Sequence, residues 1–383
     1  MSNNLTVTFF SNFLLHHQTP FCEAMIKRLD GGFRFVATEP TPEERINMGY
    51  RDYSDVPYVV YSYKSDEQYN EALRLGADSD VVILGAASDK FIYERLKQNK
   101  LTFRYSERFF KEGRIRILDP RVLKIRYKQD FRYRNKNLYM LCASAYTAPD
   151  CRFIFSYPNK TYKWGYFPET NQPPYDQIVK MKSQSGRTVK ILWVSRFIKL
   201  KHPEDVVNLA KKLKQNNCDF EIEMLGVGEL RQEYERTVKE KKLDDVIRFT
   251  GPFAPEEVLY RMQSADIFLF TSDRNEGWGA VLNESMSACC AVVANRKIGS
   301  VPYLIEDGKN GLVYNRKDGN SLYRCVRRLI DDEPFRKELG KNAYETVKTV
   351  WNADCATDRL LTLINCINNG TPVPFITGPC SKD

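Results

Sequence analysis

Short apolar runs separated by polar, helix-periodic stretches recur through most of the chain. Runs at 5–10 (LTVTFF), 33–38, 57–61, 80–84 (DVVIL) and 101–105 (LTFRY) read as strands, with 138–145 as a further strand and its loop. Helical spacing predicts helices over 20–29, 67–75 and 90–99. A second series has strands at 189–194 (VKILWV), 220–225, 246–249, 265–270 (ADIFLF) and 290–294 (CAVVA). Helices at 203–216, 230–241, 255–264 and one starting near Gly279 fall between them, and helices fill the chain after the turn at 307–311. The strands are near-continuous apolar runs, as in a parallel sheet buried on both faces. Alternation of strand and helix predicts an α/β chain with doubly wound parallel sheets.

A length of 383 residues suits two domains. The boundary lies where Pro149, Pro158, Pro168, the pair Pro173-Pro174 and the SQSG at 183–186 interrupt the pattern. The division is a first domain 1–170, a linker 171–187, a second domain 188–350, and a helical segment 351–383 crossing back to the first domain.

Charge changes the picture in one place. The formal net charge is +9, and Lys and Arg crowd residues 100–136 among Phe109, Phe110, Tyr127, Phe131 and Tyr133. Such a segment suits an anionic membrane surface first, a solvated basic face second and nucleic acid third. No apolar run approaches the roughly 20 residues of a membrane helix. The N-terminus lacks a basic leader region. The reading is a cytoplasmic protein, with the basic segment as a surface for the inner face of the membrane. Ten cysteines without a C-x-x-C pair indicate reduced thiols and no zinc site.

Candidate chemistry follows from position, because ligands of such sheets lie beyond the carboxyl ends of the strands. Arg196 and Lys201 follow VKILWV there, and two cations can clamp a diphosphate. Gly226 and Gly228 follow the next strand, either as a phosphate loop or as glycines needed by the backbone. Glu276 follows ADIFLF, and Gly277, Trp278, Gly279, Ala280 and Val281 lead into the helix that carries Glu284. The N–H groups of a helix start attract anions, and carboxylates accept hydrogen bonds from paired hydroxyls. In the first domain, His16 and His17 occupy the loop after the first strand. Asp78-Ser79-Asp80 precedes its strand, at the other edge of the sheet, and reads as a turn.

The segments R-x4-K, G-x-G-E, ADIFLF-TS, E-G-x-G leading to Glu284, and V-P-x-L-I-x-D-G-x-N-G together resemble the retaining nucleotide-sugar glycosyltransferases of family 4, or group 1. The resemblance runs from about 191 to 315. More loosely, FFSNFLLHHQTPF and TFRYSER are similar to bacterial members that build capsular or other surface polysaccharides. The resemblance implies a GT-B fold, two Rossmann-like domains facing across a cleft. A UDP- or GDP-linked sugar would bind the second domain, and a glycan or lipid-linked acceptor the first. It implies that Arg196 and Lys201 hold the diphosphate, Glu276 the donor sugar and Glu284 the ribose, with Gly226, Gly228 and residues 277–281 completing the wall. Transfer with retention, by front-face attack, needs no side-chain nucleophile, no metal and no cofactor.

Two positions depart from the family. No histidine follows LTFRY, where many relatives carry one; Ser106-Glu107-Arg108 stands there, so Glu107 and His17, with His16, are the candidates near the acceptor. Tyr303 stands where relatives often carry glutamate. The alternatives are a nucleotide-sugar epimerase or hydrolase on the same fold and, in another class, a basic non-catalytic nucleic-acid-binding protein.

Overall fold

The computed structural model describes residues 5–43, 46, 53, 55–169, 173–182 and 188–383. The chain forms two compact units, Met1–Glu169 with Asn352–Asp383, and Thr170–Trp351.

The first unit is built on seven parallel strands: β1 (Val7–Ser11), β2 (Phe33–Ala37), β3 (Val59–Tyr61), β4 (Val81–Leu84), β5 (Thr102–Ser106), β6 (Leu138–Cys142) and β7 (Thr161–Lys163). Their order is β3-β2-β1-β4-β5-β6-β7, so the direction of winding reverses between β1 and β4. Phe9 lies beside Phe35 on one side and Ile83 on the other. Every residue of β1 and β4 is buried, which explains their unbroken apolar text. The helix Ala353–Asn369 packs on Thr19–Leu29, with Arg28 bonded to Asp354 at 2.6 Å and Asp358 at 2.9 Å. β7 and the helix Thr147–Phe153 lie in the stretch read as irregular. A three-residue edge strand is too short to show a period. Asp80 accepts bonds from the backbone and hydroxyl of Thr6, both at 2.8 Å, and so ties the starts of β1 and β4 as a turn residue.

The second unit has β8 (Val189–Val194), β9 (Phe220–Leu225), β10 (Ile247–Thr250), β11 (Ile267–Phe270), β12 (Ala291–Asn295) and β13 (Leu312–Tyr314), all parallel, in the order β10-β9-β8-β11-β12-β13. The reversal here falls between β8 and β11. Ile191, Trp193, Ile222, Met224, Ile267 and Val293 meet Val206, Leu213, Val326 and Leu329 from the helices in one core. Within the segment read as a linker, the described residues include a helix, Tyr175–Lys182, whose Ile178 packs on Cys289 and Tyr344. The SQSG stretch lies outside the described residues. The helix read as starting near Gly279 begins at Val281. Gly279 has φ +79°, and a Cβ there would stand 2.3 Å from the Phe270 ring, so the chain turns there before it coils.

Candidate active site

The reversal of strand order opens a crevice beyond the carboxyl ends of β8 and β11. Two loops fill it. The first, Ser195–Pro203, leaves β8 and crosses the glycine loop after β9. Phe197 N–H donates to Val227 at 2.7 Å, and Leu230 N–H donates to Phe197 at 3.0 Å. The crossing is tight. A Cβ on Gly226 would lie 1.9 Å from the Ser195 carbonyl oxygen, and one on Gly228 2.5 Å from that of Phe197. These glycines therefore serve backbone contact, and through it they fix the segment that carries Arg196. Phe197 turns fully inward against Trp193, while Arg196 points out, exposed, with no ion-pair partner among the described residues.

Lys201 closes a single 3-10 turn, Lys199–Lys201. Its carbonyl accepts the Thr271 hydroxyl at 2.6 Å, and Thr271 in turn accepts the buried Trp193 indole N–H at 2.8 Å. Its ammonium donates to the Glu276 carboxylate. The side chains are only 12% and 14% exposed, so the pair is largely withdrawn from water. The diphosphate clamp and the sugar acid read from the sequence are thus joined directly.

The second loop leaves β11. Asp273 organises it, accepting from Asn275 N–H at 2.7 Å through its side chain and from Glu276 N–H at 3.1 Å through its carbonyl. Gly299 N–H donates to the Glu276 carbonyl at 3.3 Å. Gly277 is buried. Trp278, named as a donor contact, has a fully buried ring whose Nε1 donates to Asn283 at 2.9 Å, packed on Tyr303 and Trp351. Its contribution to a ligand is confined to the backbone. Tyr303 stacks on Trp351 at 5.8 Å and 13°, so the departure at this position completes an aromatic cluster behind the loop. Ala280 precedes the first helical residue, Val281. Glu284 sits in the first turn, half-buried, and burial pushes its carboxyl up to about 7. A carboxyl poised there both donates to and accepts from hydroxyls.

His202 was not singled out for this site. Its backbone is left-handed, φ 52°, and its ring meets Glu204 at 2.7 Å through Nδ1 and Asp273 at 3.2 Å through Nε2. The available signal was a histidine directly between Lys201 and the proline that opens a helix.

In the first unit, His16, His17 and Glu107 come together through a residue the sequence did not flag. The His17 ring stacks on Tyr166 at 4.3 Å and 14°, and Tyr166 donates to Glu107 at 2.8 Å. Lys111 donates to the other carboxylate oxygen at 2.6 Å, and His16 meets His17 edge-on at 5.3 Å. This group lies beyond β1 and β5. Tyr166 follows β7, which the sequence pattern did not reveal.

The basic segment 100–136 is not one surface. Arg104 is buried, bidentate to Asp89 at 2.8 Å, and Arg126 pairs with Asp130 at 2.9 Å, while Phe110 belongs to the core. What remains outside is Arg114, Arg116, Arg121, Lys124, Lys128, Arg132 and Arg134, the first five beside Ile115, Leu118, Leu123, Ile125 and Tyr127. Among the described residues, no helix is long and apolar enough to cross a membrane. Among them too, no group of three or more His, Cys, Asp or Glu is placed to hold a metal.

The model of glycosyl transferases group 1 matches residues 176–346, nearly all of the second unit. That unit is a group 1 glycosyltransferase domain. Curated relatives each match less than half of the chain. An uncharacterized glycosyltransferase of Methanocaldococcus jannaschii is 31% identical over 157 residues, 41% of this chain and 42% of the relative. The D-inositol 3-phosphate glycosyltransferase of Corynebacterium aurimucosum is 26% identical over 44% of this chain and 41% of its own length. The amylovoran biosynthesis glycosyltransferase AmsK of Erwinia amylovora is 27% identical over 49% and 47%. The chain thus spans less than half the length of these relatives. Solved structures cover both units. Anabaena HepE in complex with UDP matches with TM-score 0.68 at 12% identity, over 94% of this chain and 100% of that one. The sucrose-phosphate synthase of Thermosynechococcus elongatus matches with TM-score 0.64 at 15% identity, over 96% and 100%. At these identities the likeness establishes the fold, which is GT-B.

Proposed function

We propose that the protein is a retaining glycosyltransferase that moves a sugar from a UDP- or GDP-linked donor to a glycan or lipid-linked acceptor of surface polysaccharide. The observation that carries this is the Lys201–Glu276 pair at the β8–β11 reversal of a group 1 domain, with Arg196 on the same loop as Lys201 and Glu284 on the helix that follows Glu276. Arg196, exposed and without an ion pair among the described residues, meets the diphosphate in bidentate fashion. Lys201, held by Glu276, adds a second positive charge as the diphosphate departs. Glu276 accepts from the sugar hydroxyls and Glu284 from the ribose. The acceptor hydroxyl attacks the anomeric carbon from the face the diphosphate leaves, and its proton passes to the leaving phosphate oxygen. The two cations meet the diphosphate charge, so no metal enters the scheme, and turnover in EDTA tests that. His16, His17 and Glu107 are assigned to the acceptor. The HepE complex with UDP and the amylovoran relative lend support to the donor and acceptor classes.

The test is a thermal-shift series with UDP, GDP and their sugars. One nucleotide raises the melting temperature, and Arg196→Ala and Glu284→Ala abolish the rise. If neither nucleotide does so, the donor assignment fails. Donor consumption without acceptor would favour an epimerase or hydrolase.

The exposed face of 111–128 is assigned to anionic lipid. The helix Pro120–Gln129 has no buried residue and is held by charge instead: its Gln129 carbonyl accepts from Arg104 at 3.0 Å. Its Leu123 and Ile125 side chains are exposed beside cations that each gain about 1 kcal/mol near an anionic surface. Sedimentation with vesicles containing phosphatidylglycerol, against vesicles of phosphatidylcholine alone, tests this. Leu118→Asp with Leu123→Asp abolishes binding, and unchanged binding refutes it.

A further inference from the structure

We infer that His202 is a positioning residue of the nucleotide-sugar site: its ring, bonded to Glu204 and Asp273, fastens the loop bearing Glu276 to the turn bearing Lys201. The inference rests on the donor assignment above and deepens it.

His202 follows Lys201 directly and ends its 3-10 turn. Its Nε2 reaches the Asp273 carboxylate, and the same aspartate holds Asn275 and Glu276 through its other oxygen and its carbonyl. Its Nδ1 reaches Glu204 in the first turn of the helix Pro203–Gln215. Each ring nitrogen faces a carboxylate, so neither is left for a substrate. The ring links the two loops beside the Lys201–Glu276 pair.

The backbone adds a second argument. At φ 52° and ψ 57° a residue with a side chain is strained, and glycine would sit there without cost. The two ring bonds offset part of that strain.

The bridge depends on protonation. An imidazolium donates from both nitrogens, whereas neutral imidazole donates from one and sets a lone pair against the other carboxylate. The groups around it are Lys201 on its own turn, Glu204 and Asp205 on the following helix, and Asp273 and Glu276 on the loop after β11. Arg316 after β13 pairs with Glu204 at 2.9 Å and Asp205 at 2.7 Å; Tyr234 reaches Glu204 at 3.3 Å, and Tyr314 ends β13. Burial opposes the charged ring, but the bonds to Glu204 and Asp273 outweigh it and raise its pKa. The bridge is whole at low pH and loses one bond as pH rises through the raised value.

The experiment is calorimetric titration of UDP and GDP into the full chain and His202→Gly between pH 6 and 9. Glutamate and phosphate titrations are common to both proteins, so their ratio isolates His202. The variant should bind roughly three- to tenfold more weakly at pH 6, with the gap closing toward pH 9. A ratio constant across pH, or equal to one, overturns the inference. His202→Asn, which also tolerates the left-handed backbone, replaces the glycine variant if that does not fold. Imidazole NMR on the ligand-free chain provides the second readout, because there are three histidines in all. The His202 signal should titrate above 6.5 and move down in Asp273→Asn; no movement removes the bridge. If neither nucleotide binds the native chain, the donor assignment falls, and the NMR titration still decides the bridge.

Discussion

Replacing Glu284 by glutamine should make the protein more stable and less able to bind nucleotide. The carboxyl stands at about 7 in the folded chain against an ordinary 4.5, and the cause is burial. Below pH 4.5 both states are protonated and the group costs nothing. As pH rises, the unfolded chain ionises first, and native stability falls until the folded group has ionised too, above about 7. A gap of about 2.5 units corresponds to a ceiling of about 3 kcal/mol. The side chain is only half-buried, so screening by water leaves about 1–2 kcal/mol. For a domain of this size that is roughly 2–8 °C in melting temperature. The Glu284→Gln protein should therefore melt higher than the native one by that amount at pH 8.5, and the gain should shrink steadily toward pH 4.5. Scanning calorimetry across pH 4.5–8.5 reads the gain directly. The same variant should lose most of the thermal shift given by UDP or GDP, since the carboxylate assigned to the ribose hydroxyls is gone. A gain that does not grow with pH would refute the burial argument. A full nucleotide shift in the stabilised variant would refute the ribose assignment.

Other predictions concern the neighbouring groups. Lys201→Met strands the Glu276 carboxylate in a largely buried place and should cost about 2 kcal/mol, whereas Lys201→Met with Glu276→Gln should recover stability and not nucleotide binding; denaturant unfolding of the four proteins of the cycle measures the coupling. Gly226→Ala must push a Cβ into the Ser195 carbonyl at φ +146° and should cost about 2–4 kcal/mol, with nucleotide affinity lost beyond what unfolding explains because Arg196 is displaced. Tyr166→Phe removes a bond to Glu107 and should raise the acceptor KM several-fold while leaving the donor Kd unchanged; a changed donor Kd would contradict the assignment of this group to the acceptor.

Much of this architecture follows from local pattern. Unbroken apolar runs such as ADIFLF and CAVVA are strands because both faces of a parallel sheet are buried, and the residues after a strand must then lie at the ligand edge. Arg196, Lys201 and Glu276 were legible for that reason: each follows its strand within a few residues. Their partners were not, because partnership depends on strand order. β8 and β11 are separated by more than 70 residues and stand side by side only because the winding reverses there, and this brings Glu276 onto Lys201 and Asp273 onto His202. Glycines 226 and 228 could be seen in the text, but their close approach to the backbone at Ser195–Phe197 could not. Burial likewise separated residues of one composition. Trp278 turned into the core, Arg104 went under the surface onto Asp89, and Leu118 and Leu123 stayed outside. Sequence alone therefore determined the elements and the edge of the sheet where chemistry would gather. Tertiary structure decided which charges meet and how far each is withdrawn from water, because both depend on strand order and packing.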